Sequence, residues 1–197
     1  MSKDAETLSV YDAKAADYAK LVGSDDEHES LQGFVADMPT GAHVLDLGCG
    51  PGLYAASMVR KGCTVDAIDG SAEMVALAAA RDGVSARQGF FEDIDAEDTY
   101  DGVWANFSLL HAARADLPAH LARLKRALKD GGIFHIGMKL GDSEARDGLG
   151  RRYTYVTQEE LLDLLKSAGL TPYHTTLGED LGLDGTMAKF ILVRAHG

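Results

Sequence analysis

Apolar positions in this chain follow two periods. Short apolar runs bounded by turn residues predict strands at 43–47, 64–68, 86–89, 100–105, 132–138, 171–176 and 189–195. Between them, longer helix-compatible stretches predict helices at 53–61, 72–81, 117–128 and 158–168. Two more helices, 8–21 and 29–38, precede the first strand. A polar break at 23–27 separates them, and the second stops before Pro39-Thr40-Gly41. Strand and helix then alternate with short connections, which predicts an α/β fold with a doubly wound parallel sheet and crossovers on both faces. The last two strands follow one another without a helix, joined by a Gly- and Asp-rich link at 177–187. They are expected to form an antiparallel pair at the edge of a seven-stranded, mostly parallel sheet.

The most informative stretch is VLDLGCGPG, Val44 to Gly52. An apolar run with Asp46 inside it feeds Gly48, Cys49, Gly50 and Gly52, and the helix from Leu53 follows at once. Missing Cβ atoms let a ligand lie against the backbone, and glycine accepts positive φ. The helix start presents N–H groups to a negative ligand group. A dinucleotide turn reads G-x-G-x-x-G, but Leu53 stands where the third glycine belongs, so a nicotinamide-dependent oxidoreductase is disfavoured.

The string resembles motif I of the class I S-adenosylmethionine-dependent methyltransferases, and the resemblance covers nearly the whole chain. It implies a Rossmann-like core at 41–197, an N-terminal helical lid at 1–38 and a single methyltransferase domain over 1–197. The cofactor would be S-adenosyl-L-methionine, with S-adenosyl-L-homocysteine as product. Ligands of open parallel sheets bind beyond the carboxyl ends of the strands near the switch in strand order, so each strand end is a candidate. Asp46 either braces the loop or adds negative charge near the cofactor ammonium. Asp69, at the second strand end, matches the motif II acid that accepts the ribose hydroxyls as a charge-assisted pair, with Gly70 permitting close approach. Ser71 suits the helix N-cap, and Met74 either packs on the adenine or joins the core.

At the third strand end the family often has an acid for the adenine amino group, and here Phe90 occupies that place. Phe90, Phe91 or Glu92 then remains to meet the adenine, unless the phenylalanines belong to the core. The fourth strand leads into Asn106-Phe107-Ser108-Leu109-Leu110-His111, which is similar to small-molecule methyltransferases rather than to the N-P-P-Y nucleic-acid enzymes. Asn106 would line the methionine end, with Ser108 and His111 on the methyl side and Phe107 also against the cofactor. His111 is either a general base or a satisfied structural histidine. Tyr11 and Tyr18 match the family's Y-D-x-x-A-x-x-Y lid helix, where a hydroxyl would reach the cofactor carboxylate; the alternative is two docking anchors.

The segment after the fifth strand carries Lys139, Arg146, Arg151 and Arg152 and resembles the tellurite-resistance-type subset. These cations would form a pocket for an acidic small substrate, or else salt bridges to the chain's carboxylates. A capping box at Thr157–Glu160 starts the next helix.

Bulk properties prune this picture. The length of 197 residues with 46% apolar content suits one α/β domain. A net charge of −12 argues against a nucleic-acid partner and an anionic membrane surface. No apolar run is long enough to span a bilayer, and the polar start is not a signal peptide, so a reducing cytoplasm is expected. Two cysteines, Cys49 and Cys63, make neither a metal pattern nor a disulfide framework, and no metal is expected. The expected function is methyl transfer to a small-molecule acceptor by proximity and alignment, with His111 assisting where the acceptor needs deprotonation. The rival is a non-catalytic module that binds the same cofactor. Acceptor identity and oligomeric state are not encoded in readable form.

Overall fold

A computed structural model describes residues 3–21, 29–182 and 185–197. Helices α1 (Ala5–Leu21) and α2 (Glu29–Ala36) precede the core. The core then runs β1 (His43–Leu47), α3 (Leu53–Arg60), β2 (Thr64–Asp69), α4 (Ala72–Ala79), β3 (Ser85–Gln88), β4 (Tyr100–Asn106), α5 (Leu117–Ala127) and β5 (Leu128–Lys139). A small hairpin, β6 (Glu144–Arg146) and β7 (Arg152–Thr154), comes before α6 (Gln158–Ser167), β8 (Thr171–Leu181) and β9 (Met187–His196).

Seven strands form one sheet in the order β3-β2-β1-β4-β5-β9-β8. The first five are parallel, and β9 is antiparallel to both β5 and β8. Strand order reverses between β1 and β4, which places a crevice at their carboxyl ends. Successive residues of a strand face opposite sides, so the continuous run of β1 feeds two cores. Leu45 and Leu47 pack with Leu121 and Leu124 of α5 and Leu161 and Leu165 of α6. Val44 packs with Phe34 of α2, Met58 of α3 and Trp104 of β4.

Caps set the helix starts as the residues suggest. Ser71 accepts a hydrogen bond from the Met74 N–H at 3.2 Å, and Thr157 accepts from Glu160 at 3.1 Å. Glu160's carboxylate turns away to Arg114 instead of closing a reciprocal box.

Two expectations are corrected. The link expected at 177–187 is mostly strand: the ladder continues to a Leu181–Met187 pair. Gly178, read as a turn residue, sits opposite Phe190, whose ring would lie 2.3 Å from a Cβ there. Ladder hydrogen bonds and a seat for that ring outweigh the turn-like composition. The segment after β5 is likewise not plain loop but holds the β6–β7 hairpin, whose register pairs Ala145 with Tyr153.

Candidate active site

The glycine turn sits at the switch point and is built by backbone contacts. The N–H groups of Gly48 and Cys49 both donate to the Ile68 carbonyl at the end of β2, at 2.7 and 3.1 Å. Gly48, Gly50 and Gly52 have φ of 74°, 53° and 75°, a region that L side chains rarely enter. At Gly48 a Cβ would also meet the Ser108 Cβ at 2.4 Å, so the turn can touch the β4 loop only without a side chain. Arg81, just past the end of α4, donates to the Pro51 carbonyl at 2.5 Å and ties the turn to that helix end.

Asp69 is fully buried at the end of β2. Its carboxylate accepts from Gly50 N–H at 3.0 Å and from Ser71 N–H at 2.9 Å, which fixes it beside the turn. Burial pushes this carboxyl up, while the N–H groups of Ser71, Gly50 and Gly70 work against the shift. Asp46 lies under the turn with one carboxyl oxygen that has no hydrogen-bond partner among the described residues. Burial, with Asp69 nearby, pushes it up to about 8, opposed by the Ala55 N–H. Asp46 therefore braces the start of α3 and does not line the cavity. Cys49 is buried filler, its thiol pushed well up by burial.

Between the turn, β4 and α1 lies a cavity of about 40 Å³. Gly48, Gly50, Asp69 and Met74 form one side; Asn106, Phe107, Ser108, His111 and Tyr11 form the other. Phe107 holds a left-handed φ of 54°, a conformation rare for an aromatic residue and concentrated at functional sites. Asn106 pairs with His135 Nε2 at 3.1 Å, and Ser108 Oγ is buried with no partner among the described residues.

His111 is held on both nitrogens. Nδ1 lies 2.6 Å from the Arg152 carbonyl and Nε2 lies 2.8 Å from the Tyr11 hydroxyl. Burial lowers its basicity to about 3, with the Arg152 carbonyl opposing and the Arg151 charge adding. Both ring nitrogens thus already have partners, which is the arrangement of the satisfied-histidine alternative. The four cations Lys139, at the end of β5, and Arg146, Arg151 and Arg152, beyond it, do not line the cavity. Arg146 pairs with Asp4 at 2.9 Å and Glu6 at 3.1 Å, and Arg152 lies 3.6 Å from Asp4. Lys139 Nζ sits 4.4 Å over the Tyr153 ring. Arg151 is buried, bonded to Asp147 at 2.6 Å and donating to Tyr11 Oη at 3.1 Å.

The adenine candidates also divide. Phe91 is core, edge-on to His120 at 5.3 Å. Glu92 is exposed, and Phe90 is half-buried under Lys3 with its N–H bonded to Asp93. None of the three borders the cavity. Tyr18's side chain lies outside the described residues.

Asp147 and Asp12 carry structure that the sequence reading passed over. Asp147 accepts from the N–H groups of Leu149 and Arg151, an Asx-type turn signalled by Asp147-Gly148 and Gly150. Asp12 receives the Ser71 hydroxyl at 2.5 Å, docking α1 on the start of α4. It belongs to the Tyr11–Tyr18 string, but its partner lies 59 residues away.

Residues 44–132 match the family model described as a methyltransferase domain. The chain is 33% identical over 132 residues to the malonyl-[acyl-carrier protein] O-methyltransferase of Salmonella typhimurium, a match covering 61% of this chain and 51% of that one. It is 32% identical over 153 residues to a ubiquinone biosynthesis O-methyltransferase of Dinoroseobacter shibae, covering 67% and 61%. The chain thus spans about half to three fifths of the length of these relatives. Among solved structures, the Burkholderia thailandensis 1,6-didemethyltoxoflavin-N1-methyltransferase, bound to 1,6-didemethyltoxoflavin and S-adenosylhomocysteine, superposes with a TM-score of 0.76. That likeness, at 23% identity over 98% of this chain and 87% of the other, shows the fold. Cradle, strand-end acid and sequence match agree: the chain carries a methyltransferase domain, matched over residues 44–132, on the fold that S-adenosylmethionine-dependent methyltransferases share.

Proposed function

We propose that the protein transfers the methyl group of S-adenosylmethionine to a small-molecule acceptor, chiefly by alignment and exclusion of water. The observation that carries this reading is Asp69, fixed by two N–H groups beside the glycine cradle at the β1–β4 switch point. An acid held in that position is suited to a ribose diol, and the unpartnered Ser108 hydroxyl offers a further polar contact. Bound cofactor supplies the activated methyl; this chain's residues orient it. Gly48 and Gly50 would admit its backbone-like end, Asp69 its ribose, and Met74 an apolar face. The division into an N-terminal lid at 1–38 and a core at 41–197 belongs to this reading.

A small acceptor is supported by the absence of cations at the cavity wall among the described residues and by the net charge of −12, both unsuited to a polyanion. The matched relatives act, by their names, in ubiquinone biosynthesis and on a malonyl-acyl-carrier protein. An uncharged hydroxyl or amine suits this wall better than the acidic substrate expected from the sequence, because Arg146, Arg151 and Arg152 are engaged with Asp4, Glu6 and Asp147. His111 acts as a base only after Tyr11 releases Nε2.

The test pairs binding with transfer. Asp69→Ala is expected to weaken S-adenosylhomocysteine binding by about 1.5–3 kcal/mol, the range for hydrogen bonds to a charged group. Unchanged affinity in calorimetry removes Asp69 from the site. Radiolabelled methyl transfer to a panel of phenols, amines and thiols then identifies the acceptor. Tight cofactor binding with no transfer across the panel supports the non-catalytic alternative.

A further inference from the structure

The two edges of the sheet are built differently. At one edge β3 has four residues, short enough to offer little to another strand. At the other, β8 has eleven, and its outer side pairs with nothing among the described residues. Edge strands are usually blunted by proline, lysine or a bulge. Here Pro172 and a register shift before His174 protect only the start. From His174 to Leu181 the strand has no proline, lysine or bulge, and all of it but Gly178 is exposed. Leu177, near its middle, is 57% exposed.

The ladder to β9 decides which backbone groups face outward. The Gly182 N–H donates to the Thr186 carbonyl at 2.7 Å, and this pair continues the register that sets Leu181 against Met187. Antiparallel ladders alternate, so the even-numbered residues of this stretch turn N–H and C=O toward β9. Thr175, Leu177 and Glu179 turn theirs to the open edge. A second β8, related by a two-fold axis, bonds to these groups only with odd residues opposite odd ones. An axis at Leu177 sets Leu177 on its own copy, Thr175 on Glu179 and His174 on Asp180. An axis one residue to either side sets Leu177 against Thr175 or Glu179 and takes His174 off Asp180. An axis at Glu179 sets like charges together, and one at Thr175 draws in the bulged start of the strand.

We propose that β8 is a self-complementary docking edge through which two copies of this chain join their sheets, with Leu177 on the two-fold axis. At that register both faces match. On one face Leu177 meets Leu177, so an exposed apolar side chain is covered by its own copy. On the other, His174 and Asp180 form a pair of the non-hydrogen-bonded kind, in which side chains approach most closely. The Asp180 carboxylate already leans to this edge, where it accepts the Leu181 N–H at 2.7 Å. His174 meets Thr176 Oγ1 at 3.2 Å through Nε2, which leaves Nδ1 for Asp180. The two-fold repeats this pair, so its contribution counts twice. Strands β9 and β5 separate β8 from the β4 wall of the cavity, so the pairing does not cover the site.

Sedimentation velocity on the whole chain, over a concentration series from micromolar to near millimolar, tests this. Wild type is expected to move from the mass of one chain toward twice that mass. Thr175→Pro removes an outward N–H without touching the ladder to β9, and is expected to weaken association about tenfold or more. His174→Asp sets like charges opposite one another and is expected to weaken it by about as much. The double variant His174→Asp with Asp180→Lys is expected to restore association to within about threefold of wild type. A chain that stays monomeric throughout overturns the proposal and leaves the edge to another partner. A dimer indifferent to Thr175→Pro is built elsewhere and overturns it too. Weakening by His174→Asp that the double variant does not relieve overturns the Leu177 register. Circular dichroism confirms that each variant folds. If Thr175→Pro does not, hydrogen exchange in wild type decides. The Thr175, Leu177 and Glu179 amides are expected to exchange more slowly as concentration rises, and rates independent of concentration overturn the pairing.

Discussion

Beneath the glycine turn lie two buried carboxyls with unlike surroundings. Asp69 accepts backbone N–H groups on both oxygens and faces the cavity; Asp46 has one oxygen without a partner among the described residues and faces the protein. Asp46 therefore holds its proton up to about pH 8 in the folded chain against 3.8 as its ordinary value. Between these values the folded state binds a proton that the unfolded state does not, so stability falls as pH rises through that window. Asp46→Asn should flatten this slope, which reaches at most about 1.4 kcal/mol per pH unit for one group. Urea unfolding of the ligand-free protein at several pH values checks it; an unchanged slope means that Asp46 ionises normally. At this scale the sequence was informative wherever a residue's role depends on its neighbours in the chain. Gly48, Gly50, Asp69, Met74 and Ser108, all singled out from the sequence, line one cavity. His111 was not legible, because its state is set by Tyr11, 100 residues away, and by the carbonyl of Arg152, 41 residues away.

Helix α1 forms one side of the cavity and is attached to its neighbours at three places. Tyr11 forms part of the wall, Asp12 docks on Ser71, and the first turn is clasped to the β6–β7 hairpin through Arg146 and Arg152 on Asp4. Asp4 is held well below the usual carboxylate range, chiefly by the Arg146 hydrogen bond. The cavity of about 40 Å³ is far below the roughly 300 Å³ of a small-ligand pocket, and withdrawal of α1 is the proposed route by which cofactor is admitted. Arg146 is partly exposed, and the expected effect of removing it is local. Arg146→Ala should speed amide hydrogen exchange of the first turns of α1 about two- to fivefold, the range of an exposed ion pair, with β1 and β4 unaffected. Uniform acceleration across the sheet would place Arg146 in global stability instead. The helix itself was legible from its Tyr-Asp-x-x-Ala string, but its clasp was not: β6 and β7 are three residues each, too short to leave a period.

At the scale of the whole molecule, one arrangement accounts for the site: a parallel sheet whose strand order reverses between β1 and β4. Each strand end then delivers one group to the same crevice, Gly48 and Gly50 from β1, Asp69 from β2, Asn106 and Ser108 from β4. Alternating strands and helices made this topology readable, and six of the seven sheet strands start within two residues of their expected positions; β5 starts four residues early at Leu128. The length of β8 and β9 was hidden because Gly178 and Asp180 mimic a turn. Among the described residues, no helix is long and apolar enough to cross a membrane. The central claim is that this crevice is built for a sulfur-linked adenosine cofactor and not for a dinucleotide. Calorimetric titration of the wild-type chain with S-adenosylmethionine, S-adenosylhomocysteine and NAD tests it most directly. The account predicts saturable one-to-one binding of both sulfur compounds and none of NAD; binding of NAD with neither sulfur compound bound would contradict it.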